Sequence, residues 1–327
     1  MENSVHKSFN TLEPETILQA MESAGLQPTG EMRQLNSFEN RVFEISLEKP
    51  PHEHPQVQRV VAKFYRPGRW SRRAIEEEHQ FLRELEEEHI PVAPPLRMQG
   101  QALFQTKGIL FAIFPKIYGR MPDEILPREV RQVGRLMAQV HLIGARSEFR
   151  ERPRISGNPV SGWETLEFLR QWVAVELWPR YESAAVELLD FVDEEISPVF
   201  DQRIHGDFHR GNLLANKDQF LLVDFDDCVM GPVVQDLWMI ADALEPEEQE
   251  ELIAGYSELR EFPEEQLHWI PLMRGLRIFN YAAWIARRWQ DPSFPRLFPD
   301  FNTYTSWAEE TEALEAAVRA YVAQGRE

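Results

Sequence analysis

The stretch that most restricts this chain is Ile204-His205-Gly206-Asp207-Phe208-His209-Arg210-Gly211-Asn212, followed closely by Leu221-Leu222-Val223-Asp224-Phe225-Asp226-Asp227. An acid and an amide share a polar loop, and an apolar, β-favouring run delivers a second acid at its end, where α/β folds place their ligands. Such a chain has to fold so that the loop and the strand end meet. The chemistry that uses this set is phosphoryl transfer: a nucleophilic hydroxyl needs a carboxylate to accept its proton, and the migrating group needs magnesium held by an amide oxygen and another carboxylate. Asp207 fits the first role, and Asn212 and Asp224 fit the second. His205 is expected to brace the loop by hydrogen bonds. Asp226 either assists the metal or satisfies nearby backbone, and His209 either lines the site or is structural. The plainer reading, a polar turn in which Asp207 only caps backbone amides, leaves the apolar run before Asp224 without a purpose.

Upstream, the elements change in kind along the chain. Glu13 to Ala24 has helical spacing through Ile17, Leu18 and Met21, with Gly25 as its stop. Met32 to Leu35 and Arg41 to Leu47 read as strands joined by the turn Asn36-Ser37-Phe38-Glu39-Asn40, and Arg59 to Tyr65 as a third strand carrying Lys63 among apolar neighbours. Ser71 caps a helix running to Glu88, from which Glu77 or Glu78 can pair with Lys63. Pro91 to Pro95 breaks that helix; Ala102 to Phe104 and Ile109 to Phe114 return to strand, and Phe114 to Gly119 has the look of a hinge. Beyond it helices dominate: Arg128 to Arg146, Gly162 to Trp178, Arg180 to Ile196, Asp236 to Leu244, Pro246 to Leu259, Glu264 to Gln290 and Trp307 to Gln324. The expectation is an α+β chain of two lobes, a strand-rich one over residues 1–117 and a larger helical one over 118–327. Lysine in an apolar run often snorkels from an edge strand. Its position ahead of the helix, the hinge and the Asp207 loop points instead to nucleotide phosphates, for which a compact charge is suited.

Composition narrows the partners. The 54 acidic and 35 basic residues leave a formal net charge of −19, with no cluster of Lys and Arg to track phosphates, so nucleic acid is not expected. The single cysteine, Cys228, permits no intramolecular disulfide and suits a reducing compartment; the carboxylates beside it would raise its thiol pKa, so it reads as a buried spacer. Met1 to His6 does not lead into an apolar stretch, and no eighteen consecutive apolar residues occur, so neither export nor membrane insertion is expected. A cytoplasmic monomer is the expectation. His52-Glu53-His54 lacks a nearby third ligand and reads as an exposed insertion.

The ordered set Lys63, Glu78, the His205–Asn212 loop and Val223-Asp224-Phe225-Asp226 resembles the aminoglycoside phosphotransferase and choline kinase superfamily over nearly the whole chain. Longer segments are similar to the bacterial stress response kinase A family: Leu35 to Val42, Val61 to Pro67, Glu77 to Phe81, Gly231 to Trp238 and Arg287 to Pro295. The resemblance implies a protein-kinase-like bilobal fold, ATP and Mg2+ as cofactors, and transfer to serine or threonine of a protein substrate. It implies that Asp207, Asn212 and Asp224 carry catalysis and metal binding and that Ser37 is associated with ATP, against a plain role as a turn residue. One departure from ordinary protein kinases stands out, because Leu35 to Val42 contains no glycine and side chains must help to cover the phosphates.

Motifs of transfer chemistry do not name the acceptor. Arg274, Arg277, Tyr281, Trp284 and Arg288 fall near one helical stripe that would line an acceptor cleft; the plainer reading makes the aromatics core and pairs the arginines with carboxylates. The alternatives are a small-molecule kinase acting on homoserine, choline or an aminoglycoside, and a non-catalytic nucleotide-binding regulator.

Overall fold

The strand-forming runs of the first third assemble into one antiparallel sheet of order β1-β2-β3-β5-β4. Its strands are β1 (Pro28–Leu35), β2 (Arg41–Leu47), β3 (Arg59–Phe64), β4 (Leu103–Thr106) and β5 (Ile109–Pro115). This computed structural model describes residues 12–155, 159–196, 201–217 and 219–324; the Met1–His6 segment lies outside them. The period-two alternation of a strand sorts β3 cleanly. Val60, Ala62 and Phe64 are buried in a core shared with Ile17, Ala20 and Met21 of α1 (Pro14–Ser23). Lys63 therefore points the other way, beside its cross-strand partner Ala112, toward the face where Tyr65, Leu103 and Ala112 pack on Ile75 of α2 (Arg72–Glu87). Helix α2 starts where Ser71 Oγ accepts the Ala74 amide at 3.1 Å, and its apolar spacing buries Ala74, Ile75, Phe81, Leu82 and Leu85.

The helical part comprises α3 (Pro127–Gly144), α4 (Pro159–Leu169), α5 (Trp178–Glu195), α6 (Val234–Ala241), α7 (Pro246–Ser257), α8 (Ile270–Arg288) and α9 (Tyr304–Gln324). Two cores form there. One joins α3, α6 and α7 to the loops around Phe208 and Phe225; the other joins α5, α8 and α9 around Tyr181, Phe279 and Trp307. Close crossing of α3 and α7 depends on Gly134, where a Cβ would stand 2.2 Å from the Leu252 carbonyl oxygen. Short ribbons pair β6 (Gln202–Ile204) with β9 (Val229–Gly231) and β7 (Leu213–Asn216) with β8 (Gln219–Leu222). The segment leaving β5 joins this part directly, with Arg120 and Ala215 exchanging backbone hydrogen bonds at 3.2 and 2.9 Å.

One of the expected helices is divided and another is shortened. Glu264 to Gln290 splits into a 3-10 segment Glu264–Trp269 followed by α8, and Gly162 to Trp178 ends at Leu169 before α5 begins at Trp178. Both restarts carry a proline in the first turn, Pro271 and Pro179. Without an N–H, proline fits where that donor has no helical partner and breaks the ladder elsewhere. No described helix is long and apolar enough to cross a membrane.

Candidate active site

The His205 loop and the end of β8 are stitched together before any side chain reaches the cleft. Gly206 adopts φ +81°, and a Cβ there would lie 2.3 Å from the Asp227 carbonyl oxygen, so the contact of the two loops demands glycine. His205 Nδ1 accepts the Asp207 amide at 3.2 Å, which leaves Nε2–H to donate to the Val223 carbonyl at 3.0 Å. The Val223 amide donates to the Asn212 carbonyl at 2.9 Å and sets Asn212 beside Asp224. Phe208 and Phe225 anchor the two loops in the core, each burial contributing roughly 1.5–3 kcal/mol.

Asp236, fully buried in the first turn of α6, holds this loop from below. Its carboxylate accepts the amides of His205 at 2.9 Å and Gly206 at 2.8 Å, and His141 Nε2 donates to it at 3.0 Å. Burial pushes the His141 pKa down despite Asp236, so the ring is neutral and its Nδ1 accepts the Tyr256 hydroxyl at 3.1 Å.

Asp207 turns its side chain into the cleft. His209 Nδ1 accepts the Gly211 amide, so its Nε2–H faces Asp207 Oδ2 at 3.2 Å; Asn212 Nδ2 donates to the same oxygen at 3.3 Å and to the Asp207 carbonyl at 2.9 Å. Arg277 Nη1 donates to Oδ1 at 3.0 Å. Burial raises the Asp207 pKa, but the His209 hydrogen bond and the charges of His209 and Arg277 outweigh it and hold the carboxyl down at about 2. His209 is thus both site-lining and structural.

Across the cleft, Lys63 Nζ lies 3.1 Å from Asp226 Oδ1, 3.2 Å from Asp224 Oδ1 and 3.7 Å from Glu78 Oε1. Burial alone would depress the lysine pKa; Asp226, Asp224 and Glu78 reverse this and keep it well above the ordinary value. Glu78, not Glu77, is the helix partner. Glu77 instead accepts the backbone amides of Arg150, Glu151 and Arg152. Arg152 is fully buried and spends its fork on four acceptors: the Ala74, Asp226 and Cys228 carbonyls and Glu78 Oε2. Cys228 is the buried spacer expected, its thiol pKa raised by burial.

Asp224 itself sits in the left-handed region at φ 62°, ψ 65°, a conformation that costs an L-residue roughly 1–2 kcal/mol, and its side chain is 57% exposed. Asp226 is buried; burial would raise its pKa, but Lys63, Arg69 and Arg152 hold it far below the usual carboxylate range. Its Oδ1 is in ionic contact with Lys63 yet accepts no well-formed hydrogen bond. Asn212 commits its amide nitrogen to Asp207, which leaves its carbonyl oxygen for a ligand. These hard oxygens suit magnesium. Among the described residues no three His, Cys, Asp or Glu side chains form a ready cage, so an ion here would complete its shell with water and phosphate oxygens, as magnesium commonly does.

The glycine-free turn over the cleft is held by side chains. Arg66 donates to the Phe38 and Glu39 carbonyls and, through its amide, to Asn40 Oδ1, while Asn40 Nδ2 donates to Asp226 Oδ2 at 3.2 Å. Glu39 reaches the helical lobe, accepting from Trp284 Nε1 at 2.8 Å and pairing with Arg288 at 2.7 Å. Ser37 Oγ accepts the Asn40 amide at 3.2 Å, which makes it a turn-capping residue with a hydroxyl proton left to donate. The α8 stripe pairs its arginines with carboxylates: Arg274 with Asp242, Arg277 with Asp207 and Arg288 with Glu39. His54 bonds the Arg97 carbonyl and Glu53 the Gln99 amide, so the His52–His54 insertion is a surface feature.

Residues 31–270 match the phosphotransferase enzyme family, APH. Stress response kinase A of Escherichia coli strain K12 is 35% identical over 322 residues, which cover 95% of this chain and 94% of that protein. This chain belongs to the phosphotransferase enzyme family, in its stress response kinase A group. The serine/threonine protein kinase RdoA of Salmonella typhimurium strain LT2 is 36% identical over 315 residues, covering 93% and 92% of the two chains. Among solved structures, the amicoumacin kinase hAmiN in complex with AMP-PNP, Ca2+ and Ami superposes with a TM-score of 0.73 at 17% identity over 95% of this chain and 96% of that one. Membership of the phosphotransferase family makes the chain an enzyme with a protein-kinase-like bilobal fold, and the regulator alternative falls.

Asp236 and Arg152 escaped sequence reasoning about the site. Asp236 carried a signal, a lone carboxylate between the apolar pairs Val233-Val234 and Leu237-Trp238. Arg152 lies in a polar run with nothing local to mark it as buried.

Proposed function

We propose that this phosphotransferase is an ATP- and Mg2+-dependent serine/threonine protein kinase that moves the γ-phosphoryl group to a protein hydroxyl. The observation that carries this reading is the convergence of Asp207, Asn212 and Asp224 on one side of a cleft whose other side presents Lys63 paired with Glu78. The protein-acceptor half draws support from the relatives named stress response kinase A and serine/threonine protein kinase.

In this mechanism Lys63 turns from Asp224 and Asp226 to the nucleotide phosphates, while Glu78, fixed by Arg152, stays paired with the ammonium and keeps it aimed. Ser37 offers its hydroxyl proton to a phosphate from the turn above. Asn212 and Asp224 hold Mg2+, with Asp226 as a further oxygen donor; the bound ion supplies charge neutralisation of the phosphoryl group. Asp207 accepts a hydrogen bond from the acceptor hydroxyl. With a pKa of about 2 it is a weak base, so it orients the nucleophile and takes the proton late, as the new O–P bond forms and the bond to the departing ADP oxygen breaks. The division at residues 117/118, a cytoplasmic setting and a monomeric state belong to the same proposal.

Incubation with labelled ATP and magnesium, alone, with a generic protein acceptor and with a panel of small alcohols, tests it beside Asp207→Asn. Label on serine or threonine that disappears in the variant is expected. Label confined to a small alcohol moves the enzyme to the small-molecule reading.

A further inference from the structure

Arg277 is the member of the α8 stripe that touches Asp207, and it has donors to spare. Its side chain is 44% exposed, Nη1 donates to Asp207 Oδ1 at 3.0 Å, and among the described residues its one other polar contact is a weak one from the same nitrogen to Met239 Sδ at 4.0 Å. Nε and Nη2 have no hydrogen-bond partner among the described residues. Its neighbours differ in partner: Arg274 meets Asp242 through Nη2, and Arg288 meets Glu39 and the Trp284 carbonyl, so Arg277 alone of the three stands beside Asp207. The carboxylates of that face are likewise committed, Asp242 to Arg274 and Glu39 to Arg66, Arg288 and Trp284. One turn along α8, Tyr281 is 47% exposed and stacks on Trp284 with ring centroids 5.5 Å apart, which gives the position a firm aromatic floor.

An acceptor hydroxyl that reaches Asp207 Oδ1 thus arrives beside a guanidinium with open N–H groups on its edge. We infer that the acceptor carries an acidic group next to its hydroxyl, and that Arg277 is the specificity-determining residue that binds it; in a protein substrate this means a serine or threonine flanked by Asp or Glu. The inference rests on Asp207 being the residue that receives the acceptor hydroxyl. A carboxylate would accept two parallel charge-assisted hydrogen bonds from Nε and Nη2, whereas an ammonium in the same place would face Arg277 without a free carboxylate to offset it. The net charge of −19 opposes an acidic acceptor only at long range, because screening at physiological salt acts over ~8 Å. At contact, Arg277 decides.

The test compares synthetic peptides with one serine that differ only in flanking Asp or Lys, together with hydroxy acids and amino alcohols of matched chain length. The full chain is assayed with ATP and magnesium as wild type, Arg277→Lys, Arg277→Gln and Arg277→Glu. Wild type should favour the acidic member by roughly tenfold in kcat/KM, mostly through a lower KM. Arg277→Lys should keep most of the preference, Arg277→Gln should level it and Arg277→Glu should reverse it. A wild-type preference for the Lys-flanked peptide or the amino alcohols overturns the inference, as does an unchanged ranking in Arg277→Glu. Transfer to hydroxy acids but to no peptide sinks the protein-kinase reading while the charge preference stands. The wild-type comparison decides even where a variant folds poorly.

Discussion

Arg152 donates to Glu78 Oε2 at 2.9 Å from a segment that follows α3, so the helical lobe itself holds the helix that orients Lys63. The remaining Arg152 donors reach the carbonyls of Ala74, Asp226 and Cys228, and Glu77 accepts three amides of the same segment. Helix α2 is therefore fixed in its Lys63-pairing position by contacts internal to the fold.

Replacing Arg152 by alanine leaves a buried carboxylate facing Lys63 alone and strands three carbonyls. Loss of about 3–5 kcal/mol of unfolding free energy is expected. Arg152→Lys should recover little of it, because one ammonium cannot reach acceptors spread around a planar fork. Denaturant titration checks both, and wild-type midpoints would remove the clamp from the account.

Asp207→Asn should lower transfer by roughly 10²–10⁴-fold while nucleotide binding persists, since Lys63, Asn212 and Asp224 are untouched. The same variant reports on pH. The folded Asp207 pKa of about 2 lies below the ordinary 3.8, so the ionised carboxylate stabilises the fold fully above the higher value and progressively less as pH falls toward 2. The stability gap between wild type and Asp207→Asn should be constant from pH 7 to pH 5 and shrink on further acidification. A gap that grows on acidification would contradict the sign.

Asp224 combines a chemical and a conformational demand. Asp224→Ala and Asp224→Gly should both weaken magnesium-dependent nucleotide binding, read by titration with and without the ion. They should differ in stability, glycine exceeding alanine by roughly 1 kcal/mol because φ 62° costs it nothing. Equal stabilities would argue against a strained backbone at this position.

Glu39 joins the turn above the cleft to α8 through Trp284 and Arg288. Glu39→Gln should loosen that turn, seen as faster amide exchange over residues 36–40 and a changed tryptophan emission, with a KM for ATP raised several-fold, roughly the loss of one charge-assisted hydrogen bond. Unaltered exchange and emission would show that Arg66 suffices to hold the turn.

Most of the elements were legible because each is a local pattern. Alternation around Lys63, the Ser71 cap and the apolar face of α2 specify their own structures within a few residues. The division at Pro271 was legible in principle too, since proline acts on its own turn; apolar periodicity simply continued across it. The short strands β6, β7 and β9 were not, because three or four residues carry too little alternation to register and form only when a distant partner supplies the ladder.

Pattern alone located the candidate site: Asp207, Asn212 and Asp224 stand on two adjacent loops, and Lys63 stands on the strand face opposite a core. Pattern and spacing suffice there because backbone geometry carries those side chains. Which charges meet was settled by the packing of distant segments. Glu78 rather than Glu77 faces Lys63, Arg152 and Asp236 hold the loops from below, and Arg277 rests on Asp207. Long side chains can choose among many partners in sequence, and burial, which makes an unpaired charge costly, selects one of them only when the lobes come together.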